Sequence, residues 1–140
     1  MILNNQFSDY SIVDEELTFN ITNTGDFPWS NVLSKETTNF VFGESYRWTF
    51  KGKADIPRDI EYVVYDGETV LQMCFGRLET TYQTFTCDFI YNSHNNGKLN
   101  IHLGYLQGKD IPNTRVYFDD FTVNEIPDIN PTLNYFDNPN

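Results

Sequence analysis

Hydrophobic and polar residues alternate with period two in three stretches of this chain. Tyr46, Trp48 and Phe50 alternate with Arg47, Thr49 and Lys51; Phe85, Cys87 and Phe89 with Thr84, Thr86 and Asp88; Leu99, Ile101 and Leu103 with Asn100, His102 and Gly104. Successive side chains of a strand point to opposite faces, so each stretch predicts a strand with one face buried and one wet. Runs rich in Val, Ile, Thr, Phe and Tyr extend the pattern and predict strands over 2–5, 16–22, 29–35, 45–53, 59–66, 69–75, 83–91, 98–104 and 115–125. Asp66-Gly67 between two such runs is a hairpin signal, and Asn95-Asn96-Gly97 marks a second turn. No sustained helical period is present. Short strands at this spacing predict an all-β, antiparallel sandwich or barrel, of which the two-sheet β-sandwich is the reading adopted.

The pattern also divides the side chains between the interior and the outer faces. Phe7, Leu17, Phe19, Tyr46, Trp48, Phe50, Phe85, Phe89, Leu99, Ile101, Leu103, Phe118 and Val123 are the expected core. If Ile60, Tyr62 and Val64 point inward, then Glu61, Val63 and Tyr65 point outward. Lys98, Asn100 and His102 join them from the next alternating strand, with Tyr105 and Gln107 just beyond and Gln72 beside them on the returning strand. This outward set mixes flat rings, amides, an imidazole and a carboxylate. A pyranose matches it: its C–H faces stack on rings, and its hydroxyls meet planar donors and acceptors. The competing reading is an ordinary solvated sheet face.

Composition narrows the alternatives. The 140 residues suffice for one domain, read here as residues 1–126, with a Pro- and Asn-rich tail or linker over 127–140. A formal charge of −11 repels phosphate backbones and anionic lipid, which excludes nucleic acid and membrane surfaces as partners. Aromatics make up 16% of the chain, more than a core of this size needs. Two cysteines, Cys74 and Cys87, do not make a disulfide framework. No Gly-x-Ser-x-Gly elbow exists, and Glu61 is the one carboxylate expected on the outward face, so a glycosidase pair is not evident.

Five segments, in order, resemble the carbohydrate-binding modules of family 4 and its relatives, families 9, 16 and 22. They are ILNNQFSD, LTFNITNTGDFPWSNVLSK, GESYRWTFKGKADIPRDIEYVVYDG, GKLNIHLGY and VYFDDFTVNEI, and they span Ile2 to about Glu125. The resemblance implies a β-jelly roll whose concave sheet forms a groove for a single glycan chain. Ligands in the group include amorphous cellulose, xylan, mixed-linkage glucan and β-1,3-glucan. It also implies no catalysis, and attachment to a secreted glycoside hydrolase that supplies the catalytic domain in the same parent chain. Carried over by position, the groove residues are Asn100 and His102, with Lys98 at the edge, and Glu61 and Tyr65 on the neighbouring strand. Trp29, in the Pro-Trp pair, is either a stacking platform or a lid over the core's end. The hairpin from Gly67 to Gly76 is short where some relatives place a groove aromatic, so Tyr65 or Phe75 stands in. The cysteines do not fall where some members carry a bridge.

The same resemblance implies a structural Ca2+ away from the groove, held by oxygens at positions corresponding to Gln6, Glu15 and Asp119. Hard oxygen donors suit calcium. The alternative is that Asp119 and Asp120 keep an edge strand soluble. Rival classes for the whole chain are a xylan- or mannan-binding module, a glycoside hydrolase jelly roll and a protein-interaction jelly roll.

Overall fold

The computed structural model describes residues 2–4, 8–13, 16–37, 39–109 and 111–127, with side chains from Glu16 onward. Its strands are β1 (Ile2–Asn4), β2 (Ser8–Val13), β3 (Glu16–Ile21), β4 (Val32–Thr37), β5 (Ser45–Ala54), β6 (Arg58–Tyr65), β7 (Val70–Leu78), β8 (Gln83–Ile90), β9 (Gly97–His102) and β10 (Arg115–Ile126). They form two five-stranded antiparallel sheets, ordered β1-β4-β9-β6-β7 and β2-β3-β10-β5-β8. This is the expected β-sandwich of jelly-roll type. Strand β2 has no counterpart in the sequence reading: Tyr10, Ile12 and Val13 favour a strand, but Ser8, Asp9 and Ser11 interrupt the run, and its pairing with β3 supplies the rest. Strand β4 begins three residues later than expected, because Pro28 opens a 3-10 turn, Pro28–Ser30, that uses Trp29.

The inner faces meet in an aromatic core. The Phe50 ring lies 5.1–5.9 Å from those of Tyr62, Phe85, Trp48, Phe118 and Phe121. Phe121 is only partly buried; each of the other, fully buried, rings contributes roughly 1.5–3 kcal/mol through removal of apolar area from water. Ile60, Tyr62 and Val64 point inward as expected. Leu17 is only half-buried and packs against the margin of the core. Val123 departs from the expectation: it sits opposite Trp48 yet remains 36% exposed. A bulge between Asp119 and Thr122, with Asp120 at φ 54°, breaks the β10 ladder, and beyond it a cleft of about 310 Å³ opens between the sheets. Phe7, also expected in the core, lies outside the described residues.

The sequence leaves open whether the two cysteines pair. Cys74 on β7 and Cys87 on β8 both face inward, opposite Tyr62 and Trp48, and they form a disulfide with Cα atoms 6.0 Å apart. β7 and β8 are edge strands of different sheets, so the bridge ties the two layers at one margin.

Candidate functional site

On the outer face of the β1-β4-β9-β6-β7 sheet, the register aligns three cross-strand rows. Glu36, Lys98, Tyr65 and Val70 form the first; Ser34, Asn100, Val63 and Met73 the second; Val32, His102, Glu61 and Phe75 the third. Directly opposed side chains in an antiparallel pair lie on one face, so each row is a continuous strip. With Trp29 at one end, this face holds a trough of about 420 Å³. A second hollow of about 340 Å³ continues past Glu61 and is bordered by Phe75, Asp59, Leu106, Gln107 and Lys109.

The polar floor is tightly organised. His102 Nδ1 and Glu61 Oε2 are 2.6 Å apart, and the two residues are only 7% and 8% exposed. A shared hydrogen bond at that distance fixes both side chains, and with Nδ1 as its donor His102 keeps Nε2 for another partner. Ser34 Oγ donates to Asn100 Oδ1 at 2.5 Å, and Asn100 lines the trough. Tyr65 is steadied through its hydroxyl, which donates to the Gly67 carbonyl at 3.1 Å. The adjoining hairpin is pinned by Asp66, whose Oδ1 accepts the amides of Thr69 and Glu68 at 2.6 and 2.9 Å. These amides, with the Ser93 hydroxyl, hold the Asp66 carboxyl far below the usual carboxylate range.

Apolar walls flank this floor. Trp29, 57% exposed, lies nearly parallel to Phe27, with ring centroids 5.3 Å apart and planes 3° from each other. The same indole meets the His102 ring edge-on at 6.3 Å. Trp29 is therefore part of the trough and not a lid on the core. Across the third row Phe75, on β7, is 67% exposed and directly opposite Glu61.

The structure gathers Trp29, Glu61, Tyr65, Asn100 and His102 around one trough, and it places Gln107 on the adjoining hollow. Gln72 and Tyr105 stand elsewhere. A bulge between Val64 and Tyr65 sets Gln72 opposite the inward-facing Val64, away from the trough face, where its amide donates to the Met73 carbonyl. Tyr105 is exposed on the segment after β9 and borders neither hollow. Phe27, Met73 and Val70 were not expected at the site. For Val70 and Met73 the signal lay in the hairpin register, which a one-residue bulge conceals. Asp59 was missed too; it faces Arg77 at 3.4 Å and Lys109 at 3.9 Å.

Of the residues expected to hold Ca2+, Gln6 and Glu15 lie outside the described residues. Asp119 is half-buried at the β10 bulge, where its Oδ1 accepts the Asp120 amide at 2.8 Å, while Asp120 pairs with Lys51 at 3.3 Å. Among the described residues no group of three or more His, Cys, Asp and Glu side chains converges.

No family model matches the chain, and no curated protein matches it. Solved structures do. One described as CBM4, a family 4 carbohydrate-binding module, aligns with a TM-score of 0.76 at 24% identity, over 89% of this chain and 77% of that one. The second N-terminal cellulose-binding domain of Cellulomonas fimi β-1,4-glucanase C aligns with a TM-score of 0.66 at 17% identity, over 90% and 85% of the two chains. The first such domain of that enzyme gives 0.63 at 12% identity, over 81% and 80%. The expected likeness to family 4 and its relatives therefore holds as a shared fold.

Proposed function

We propose that this chain is a non-catalytic module that binds an internal stretch of a β-glycan in the trough, with β-glucan favoured and xylan or mannan as alternatives. The observation that carries the reading is the Glu61–His102 pair seated between the exposed rings of Trp29 and Phe75. Rings of that exposure offer stacking faces for pyranose C–H surfaces, at ~25 cal/mol per Å² covered. The polar floor replaces the water that sugar hydroxyls give up, at small net gain, and so selects among sugars. The cellulose-binding designation of the two Cellulomonas fimi domains supports a β-1,4-linked glucan.

A hydrolytic reading has less support. Glu61 is engaged by His102 and Asp59 by Arg77 and Lys109, and both carboxylates lie on one strand instead of facing each other across a ligand. The disulfide supports an oxidising, extracellular setting, consistent with attachment to a secreted hydrolase. A structural Ca2+ at Gln6, Glu15 and Asp119 is part of the same proposal. It predicts that Ca2+ added to chelator-treated wild-type chain raises its melting temperature, and that Asp119→Ala abolishes the rise.

Affinity electrophoresis in gels containing hydroxyethylcellulose, xylan, glucomannan or laminarin tests the function. Retardation without release of reducing sugar is expected. Sugar release would make the chain an enzyme, and migration unaffected by every polymer would favour a protein-interaction domain.

A further inference from the structure

The Phe27–Trp29 wall rides on the Pro28–Ser30 turn, which has no buried residue of its own. Side-chain packing therefore does not hold it; the backbone does. Amides of the segment following β9 donate into the turn: Leu103 to the Asn31 carbonyl at 2.7 Å and Gly104 to Pro28 at 2.8 Å, with Tyr105 shared between Thr24 and Phe27 at 3.1 Å. The carbonyls of Leu103 and Gly104 in turn accept from one side chain, Arg58, at 2.7 and 3.1 Å.

Arg58 is wholly buried, and its third bond runs to the Asp59 carbonyl at 3.1 Å. A guanidinium fork satisfying successive carbonyls of an irregular segment supplies what a strand ladder would otherwise supply. Burial pushes its pKa down to about 10, so it stays charged at neutral pH. Contact between the two segments is close enough to demand glycine: a Cβ on Gly104 would lie 2.1 Å from the Phe27 carbonyl oxygen and 2.7 Å from that of Pro28.

We propose that Arg58 and Gly104 are positioning residues for the ligand-binding wall, setting where Trp29 stands over His102 and thereby the affinity of the trough. This rests on the glycan-binding reading. Neither residue belongs to the wall. Arg58 fixes the Leu103–Gly104 carbonyls from behind, and Gly104 transmits that position to the turn by close approach. Asn31 extends the clamp, because its Nδ2 donates to the Asn23 carbonyl at 2.9 Å and binds the turn to the chain before it.

The test uses the full chain as wild type, Gly104→Ala, Arg58→Lys and Trp29→Ala, with two readouts. The first needs no ligand: the ring-proton NMR signals of His102, shifted by the Trp29 edge, with the distant His94 as internal reference. The second is retardation by hydroxyethylcellulose. Gly104→Ala and Arg58→Lys are expected to melt cooperatively, to move the His102 signals toward their positions in Trp29→Ala, and to lose about tenfold or more in affinity. Cooperative melting with wild-type His102 signals and retardation would overturn the proposal. Loss of folding in both variants would overturn it too, since the clamp would then serve the fold and not the wall. If wild type is retarded by none of the four polymers while the His102 signals move as expected, the glycan reading fails and the clamp survives.

Discussion

Glu61 and His102 face each other across the β6–β9 ladder with Oε2 and Nδ1 2.6 Å apart. Each restricts the other's rotamers before any ligand arrives. The floor of the trough is thus ordered in advance, and a ligand of the kind proposed would not bear the entropy of arranging it.

His102→Ala removes, and Glu61→Gln weakens, the short bond between these two side chains. Binding is expected to fall by about 1.5–3 kcal/mol, roughly 10- to 100-fold, in the polymer that retards wild type. Isothermal titration with a soluble oligosaccharide of that polymer measures it, and thermal melting checks that both variants remain folded. Wild-type affinity in both would remove the pair from the site.

Trp29→Ala and Phe75→Ala delete exposed rings, so thermal stability should change little while binding drops by about 1–3 kcal/mol each. Tyr65→Ala should weaken binding by less, because its hydroxyl is already engaged by Gly67. Affinity electrophoresis of the three variants side by side ranks them. If Phe75→Ala binds as wild type, the ligand does not reach β7.

The Cys74–Cys87 bridge closes a loop of 13 residues, for which chain-entropy reasoning gives about 3 kcal/mol of stability. A Cys74→Ser, Cys87→Ser double variant should unfold at correspondingly lower urea concentration. Ligand affinity measured in that variant reports how far the β7 wall depends on the bridge.

Asp66 contributes stability through a carboxylate whose pKa is lowered in the folded state. That contribution is complete above the unfolded value, near 3.9, and is lost as pH falls from there toward the lower folded value. Asp66→Asn should therefore be less stable than wild type at pH 7, and the gap should narrow below about pH 4. Urea midpoints from pH 7 to pH 2.5 would show it, and a gap independent of pH would mean that the charge is irrelevant to the turn.

Much of this was legible in the residues. Alternation in 46–51, 84–89 and 99–104 placed three strands and their buried faces, because period two survives in any half-buried sheet. It also set Glu61, Tyr65, Asn100 and His102 on one face. What escaped depends on irregularity. The Val64/Tyr65 bulge moved Gln72 off the site, and the Asp119/Thr122 bulge left Val123 beside an open cleft. The disulfide depends on which strands form the two sheet margins, which no local pattern encodes. Arg58, a cation at a fully buried strand start, has no hydropathy signal at all.

Among the described residues, strand β7 pairs with β6 alone, so within them its outer margin, beside Val70, Met73 and Phe75, has no strand partner. A sticky surface on a free edge is where two copies would zip together into larger aggregates. The irregular step opposite Val64 and the charged Arg77 interrupt that margin, and each roughens the template another strand would need. On the proposed function, affinity and solubility would compete on the same nine residues, since a change that made this flank more adhesive to sugar would also make it more adhesive to itself.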